Sequence, residues 1–220
     1  IVQVTNRKLN PEDLSAIIVS HRHLDHSADV NVMTEAMTQG GFNKHGVLFA
    51  PRDALETESI LHNDLRKSLD GIQILEAGKT CSVGSITFTT PVRHIHLVEN
   101  YGMIFKTKKH SIAHITDTRY FEELSSYYHG DLLMINTTFL GPRKTPERTD
   151  MPLDHLSVPD AERLIKEIKP KTAILTHFGM GVWRAKPWLI AEQLTEKTGI
   201  KVIAARDGMK FDLAELDKIQ

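Results

Sequence analysis

The sequence predicts a layered α/β fold, and three observations carry that expectation. Short apolar, β-branched runs recur along the chain, among them AIIV at 16–19, VLFA at 47–50, DLLMIN at 131–136 and AILT at 173–176. Segments with apolar residues at helical spacing separate several of these runs, as a fold of packed sheet and helix requires. The 220 residues are 40% apolar and 25% charged, enough to bury a substantial core. No apolar run is long enough to span a bilayer.

Ala16 to Val19 reads as a buried strand that delivers the chain to His21. Ser27 is the expected N-cap of a helix whose Val30, Met33, Ala36 and Met37 share one face, and Gly40-Gly41 stops it. Val47 to Ala50 is a second strand, and residues 53–69 are expected to be helical, closed by Gly71. Ile72 to Leu75, Thr80 to Val83, Ser85 to Thr90, Gly102 to Thr107 and Ser111 to Thr116 follow as strands, divided by turns such as Ala77-Gly78 and Val83-Gly84. Phe121 to Tyr128 is a short helix, and Asp131 to Asn136 a buried strand. Residues 141–152, GPRKTPERTDMP, form a polar, proline-bearing loop whose basic residues read as solvated surface rather than as an anion contact. Ser157 and Asp160 make a Ser-x-x-Asp capping pattern ahead of a helix carrying Ala161, Leu164, Ile165 and Ile168 on one face, ended by Pro170. Ala173 to Thr176 then runs into His177, and a helix near 187–198 and a final strand pair complete the chain. No repeat, low-complexity tract or linker interrupts it, so residues 1–220 are expected to form a single domain.

Composition excludes some functions. A formal net charge of −1 creates no global field to attract nucleic acid or an acidic membrane. The one cysteine, Cys81, excludes an internal disulfide and fits a reducing, cytoplasmic setting. It lies beside a Gly-containing turn with no Cys or His at ligand spacing, so it reads as a structural thiol. No signal peptide opens the sequence, and Ile1 stands where a methionine would, so the start is expected to be incomplete.

Twelve histidines are many for this length, and three of them crowd one place. In SHRHLDHSAD, residues 20–29, His21 and His23 on an extended segment point to the same side, because such side chains alternate with period two. Asp25 and His26 follow as the chain turns. A polar loop is the plain reading and a metal site the sharp one. At this histidine frequency the pattern is expected by chance in roughly a few sequences per thousand, which favours the metal site. One cation cannot easily take all four groups from so short a loop, whereas two neighbouring cations can divide them.

His21-x-His23-x-Asp25-His26 resembles the signature of the metallo-β-lactamase superfamily. The resemblance implies a four-layered αββα sandwich binding two divalent metal ions, and it runs from about Ala16 to Phe211. It asks for three further ligands at later strand ends. RHIHLVENYG offers His94 and His96; the spacing from His96 to Gly102 matches the tRNase Z-like branch, which makes His96 the preferred ligand and leaves His94 behind it or at the surface. HITDTRYF supplies Asp117, although Thr116 stands where a glycine is usual, and AILTHFG supplies His177. By resemblance, His21, His23 and His96 hold one metal, Asp25, His26 and His177 the other, and Asp117 bridges. Imidazole and carboxylate without thiolate suit zinc first, and manganese or iron as well. The superfamily's opening hairpin and Asp-bearing strand have no counterpart in the twenty residues before His21, so those N-terminal strands are expected to be missing from this chain.

Two divalent ions about 3.5–4 Å apart can share a water, lower its pKa and clamp attacking and departing oxygens, which implies hydrolysis by a metal-bridging hydroxide. LDHLSVPDAERLI resembles the tRNase Z-like and cyclic-phosphodiesterase branches, which carry a His followed by Ser or Thr before a helix. The resemblance gives His155 the role of phosphate contact or general acid, with Asp25 also among the catalytic residues. A histidine that caps the next helix is the plain alternative. The expected substrate is therefore a small or cyclic phosphodiester. Lactone or thioester hydrolysis on the same metals, a tRNase Z-like ribonuclease and a non-catalytic scaffold are the rivals. Nucleic acid is the less favoured partner because no long basic, glycine-rich arm is present, no membrane partner is expected, and a homodimer is the family habit. His45, His62, His110, His114 and His129 are scattered without ligand spacing and read as surface or satisfied core.

Overall fold

A computed structural model of the chain describes residues 1–142 and 153–219. Among these, ten strands divide into two sheets. β1 (Ala16–Ile18), β2 (Val47–Ala50) and β3 (Gly71–Ile74) form a parallel three-stranded sheet in that order. β4 (Lys79–Val83), β5 (Ile86–Thr90), β6 (Met103–Lys106), β7 (Ser111–Ile115), β8 (Leu132–Asn136), β9 (Thr172–Thr176) and β10 (Lys201–Ala204) form the second, in unbroken sequence order. Its first four strands are antiparallel, and β7 to β10 run parallel. Three longer helices accompany the sheets: α1 (Val30–Met37), α2 (Val158–Ile168) and α3 (Pro187–Thr198).

The two sheets pack face to face. Phe49 and Leu75 meet Phe88, Tyr101 and Met103 between them, with the Phe49 and Phe88 rings edge-to-face at 5.1 Å. Outside the small sheet, Leu48 and Ala50 pack with Val30, Leu55, Leu61 and Leu65. Outside the large one, Leu133, Ile135, Ala173 and Leu175 pack against Ala161, Leu164 and Ile165 of α2 and Ile190 and Leu194 of α3. The layers therefore run helix, sheet, sheet, helix, the αββα sandwich expected. Cys81 is buried in the layer between the sheets, a structural thiol.

Several elements differ from expectation. The helix predicted over 53–69 is two single turns, Asp53–Glu56 and Asn63–Arg66. Between them Ser59 donates to the Leu61 carbonyl at 2.7 Å, a side-chain bond that competes with helical pairing. Ser27 does not cap α1. It ends a one-turn helix, Leu24–Ser27, and its hydroxyl bonds the carbonyls of Arg22 and His23, while Asp29 occupies the N-cap. The final strand pair is one strand, β10. Beyond it Asp212 accepts from the Ala214 N–H and starts a 3₁₀ turn, Leu213–Lys218, whose Leu216 is buried against Leu132 and Ile174. No strand precedes β1 among the described residues; a helix, Val2–Asn6, and a turn, Pro11–Asp13, lie there instead. Of the predicted polar loop at 141–152, residues 143–152 lie outside the described part.

Candidate metal centre

The chemistry gathers at one rim of the sandwich. β5 is antiparallel to β6 and β6 to β7, so β5, β7, β8 and β9 all end on the same edge of the large sheet, where side chains of α/β folds meet their ligands. The first segment arrives from the other sheet. After Val19, still bonded to Phe49, the chain leaves β1 in extended form, with His21 wholly buried and His23 beside it, ring centroids 4.8 Å apart. Arg22, between them, points the other way and pairs with Asp53 and Glu58. That alternation is what the period of an extended segment requires. The turn Leu24–Ser27 then brings round Asp25 and His26.

All seven predicted donors converge. His96 Nε2 lies 3.0 Å from His23 Nδ1, and His26 Nε2 lies 3.1 Å from His177 Nε2. Asp117, buried, sits at the centre, with Oδ2 3.2 Å from His26 and 3.6 Å from His21 and Oδ1 3.7 Å from His177. Asp25 Oδ2 reaches His177 at 3.3 Å and His26 at 3.4 Å. The eighth residue, His155, stacks on His177 with centroids 5.5 Å apart, and its Nδ1 is 3.6 Å from Asp117 Oδ2.

Sequence reading missed the groups that orient these side chains. The Asp154 carbonyl, which can only accept, lies 3.1 Å from His96 Nδ1; the proton is therefore on Nδ1, and the Nε2 lone pair faces inward. Thr138 donates to the His177 carbonyl and so accepts from His177 Nδ1 at 3.1 Å, with the same result. Ser20 Oγ lies 3.0 Å from His21 Nδ1, and Asn136 donates to Asp117 Oδ1. His94, the ligand alternative, stays behind the cluster. It is buried, its Nδ1 donates to the Asp117 carbonyl at 3.1 Å, and its Nε2 accepts from Tyr128 at 2.6 Å. Thr116, at the position where a glycine was expected, bonds the Tyr101 carbonyl and the Asn100 side chain. Gly102 is needed for space: a Cβ there would lie 2.2 Å from Tyr128 Oη and 2.6 Å from the His114 carbonyl. His177 holds a left-handed φ of +56°, a costly conformation for a side-chain-bearing residue and one that collects at functional sites.

Electrostatics fit cation binding. Burial holds His21 neutral, down to about 2, and His96 down to about 4. Burial opposes charge on His26 as well, but the bond to Asp117 and the charge of Asp25 outweigh it and raise its pKa. Burial would raise the Asp117 carboxyl, yet the imidazoles around it, His155 and His26 foremost, keep it far below the usual carboxylate range. Two buried ring nitrogens, His21 Nε2 and His155 Nδ1, have no hydrogen-bond partner among the described residues. Ring nitrogens this close together around an ionised carboxylate form a donor set that a cation could organise. The donors fall into three groups whose ligand atoms lie within 4.8 Å of one another: His21, His23, His96 and Asp117; Asp25, His26 and His177; and Asp117, His155 and His177. Imidazole and carboxylate donors of this kind suit zinc, manganese or iron.

A family model described as the β-lactamase superfamily domain matches residues 2–178. The chain belongs to the metallo-β-lactamase superfamily. It is 29% identical, over 97% of its length and 79% of the relative's, to the uncharacterized protein MJ1374 of Methanocaldococcus jannaschii. It is 22% identical to the ribonuclease Z of Borrelia recurrentis, over 96% of this chain and 84% of that one. The crystal structure of the metallo-β-lactamase fold protein YhfI from Bacillus subtilis superposes with a TM-score of 0.73 at 23% identity, covering 90% of this chain and 78% of that one. No described helix is long and apolar enough to cross a membrane.

Proposed function

We propose that this chain is a dinuclear metal-dependent hydrolase acting on a small phosphodiester, with zinc as its first-choice metal. The observation that carries the reading is His155. It lies over the donor cluster without serving as one of the seven ligands the superfamily signature calls for, and its Nδ1 faces the cluster with no hydrogen-bond partner among the described residues. A ring nitrogen held there, two residues before the N-cap of α2, could contact an anion bound at the cluster or give a leaving oxygen its proton. The likeness to a ribonuclease Z over nearly the whole chain supports the same bond type.

His21, His23 and His96 would hold one cation, Asp25, His26 and His177 the other, with Asp117 between them. Cations in this donor set supply a water of lowered pKa and positive charge for the oxyanion. The chain's own residues do the rest. Asp154, Thr138 and Ser20 fix the ring orientations of His96, His177 and His21, so that no donor has to reorganise during turnover. A bond from water oxygen to phosphorus forms as the bond to the leaving oxygen breaks, and that oxygen takes the proton carried at His155 Nδ1. Asp25, the most exposed donor, stands where the incoming water can lose its proton.

His155 also stands with Asp117 and His177 in a group that could hold an ion, which gives it a second reading as a ligand. One experiment separates the readings: metal analysis of purified protein with a screen of bis-p-nitrophenyl phosphate, cyclic nucleotides and lactones, repeated on His155→Ala. Two metal equivalents per chain are expected in both proteins, with phosphodiester turnover in the variant down about 10²–10⁴-fold. Loss of metal from the variant would make His155 a ligand. Lactone turnover with silent phosphodiesters, unaffected by His155→Ala, would overturn the phosphodiesterase reading, and bound metal without any turnover would favour a scaffold.

A further inference from the structure

Beyond the donor cluster, a groove leads away from His177. Its inner part is a cavity of about 600 Å³ lined by Thr176, His177, Phe178, Trp183, Arg206 and Asp207. An outer cavity of about 600 Å³ shares Trp183 and Arg206 and continues past Trp188 to Glu192 and Glu196. Each lies in the roughly 300–1,000 Å³ range of small-molecule sites. Both tryptophans of the chain line this groove, and they are 55% and 50% exposed. Indole rings left half bare beside a reactive centre offer stacking faces. Arg206, at the junction, is exposed and has no side-chain partner among the described residues. Away from the candidate metal centre come the adjacent charges of Arg206 and Asp207, then the apolar rings, then two carboxylates at the far end.

From this gradient we infer that the groove binds the base of a nucleoside phosphodiester: phosphate at the donor cluster, Arg206 beside its remaining charge, the base stacked on Trp183, and its amino edge toward Glu192 and Glu196. The inference rests on the phosphodiesterase reading and adds the substrate class. Acidic residues at the far end disfavour a second anionic tail, and a plain aliphatic ester would leave the indoles uncovered.

The test compares two five-membered cyclic phosphodiesters, adenosine 2′,3′-cyclic phosphate and glycerol 1,2-cyclic phosphate, on zinc-loaded wild type and Trp183→Ala. The variant is expected to lose about tenfold or more in kcat/KM on the nucleoside, mainly through KM, and less than about twofold on the glycerol compound. Equal losses on both, or none, overturn the inference. Binding is read separately in Trp188→Phe, whose sole tryptophan is Trp183: adenosine monophosphate should quench its emission saturably and ribose 5-phosphate should not. If the two ligands behave alike, the groove does not hold a base. If neither cyclic phosphate is hydrolysed but the base-dependent quenching is present, the proposed reaction falls and the groove assignment stands. Turnover of both substrates without selectivity or quenching does the reverse: the reaction stands and the groove assignment falls.

Discussion

Asp117 concentrates more of the site than any other side chain. Its carboxylate faces His21, His26, His155 and His177, and its carbonyl takes bonds from His94 and Asn100. Asp117→Ala should therefore abolish turnover and release at least one metal equivalent while the chain still folds, since the carbonyl contacts survive. Circular dichroism with metal analysis checks this, and full activity in the variant would refute the central role. The donors were legible because their residue types are rare, crowded in 20–29 or placed at the ends of apolar runs. Asn136, Thr138, Ser20 and the Asp154 carbonyl were not. Each is a common group, and its partner lies in another strand or loop, so only the tertiary approach of strand ends reveals the pairing. His94 shows the boundary between the two. Sequence spacing set it beside His96, but only packing against Tyr128 and Thr116 shows why it faces inward.

The strands were read better than the helices. Strands of three to five residues announce themselves by β-branched runs and Gly turns, and β4 to β9 fall within a residue or two of expectation. In the segment after β2, Ala54, Leu61, Leu65 and Leu69 keep a helix-like spacing while serving one core across two separate turns. The cap of α2 was legible in full. Ser157 accepts from the Asp160 N–H, and Asp160 accepts from the Ser157 N–H at 2.8 Å, the reciprocal pair that Ser-x-x-Asp encodes. At the start of β6, Gly102 lets the strand pass between Tyr128 and the His114 carbonyl. Gly102→Ala should cost about 1–3 kcal/mol of stability through the clash with backbone that cannot yield. It should also weaken metal retention, because the displaced Tyr128 carries His94 and thereby Asp117. Urea unfolding and a chelator competition measure the two effects, and an unchanged midpoint would contradict the packing account.

Taken as one body, the sandwich accumulates neutral histidine. Burial lowers His21 to about 2, His94 to about 3, and His96 and His114 to about 4, against about 6.5 in an unfolded chain. The folded values are depressed, so below about pH 6.5 the unfolded chain takes up protons that the folded chain refuses. Stability is then full above that pH and declines as pH falls toward 4. The raised value of His26 opposes this with a single group. Chelator-treated protein should accordingly show a lower urea midpoint at pH 5 than at pH 7, and equal midpoints would show that these rings are not held neutral. A layered α/β fold was legible from strand and helix alternation and its four-layer order from the family resemblance, whereas the closing 3₁₀ turn was read as part of a final strand pair. FDLAELDKI sets Leu213, Leu216 and Ile219 three apart, the period of a 3₁₀ turn, and the sheet face under Leu132 and Ile174 is what Leu216 plugs.

The turn at Gly84-Ser85 joins β4 to the beginning of β5, and it therefore hangs from the rim opposite the histidines, with open space around Gly84. An anchor attached there, to a bead or an electrode, would leave the reactive mouth facing outward. The same molecule could thus be immobilised in one chosen orientation without crowding whatever has to enter.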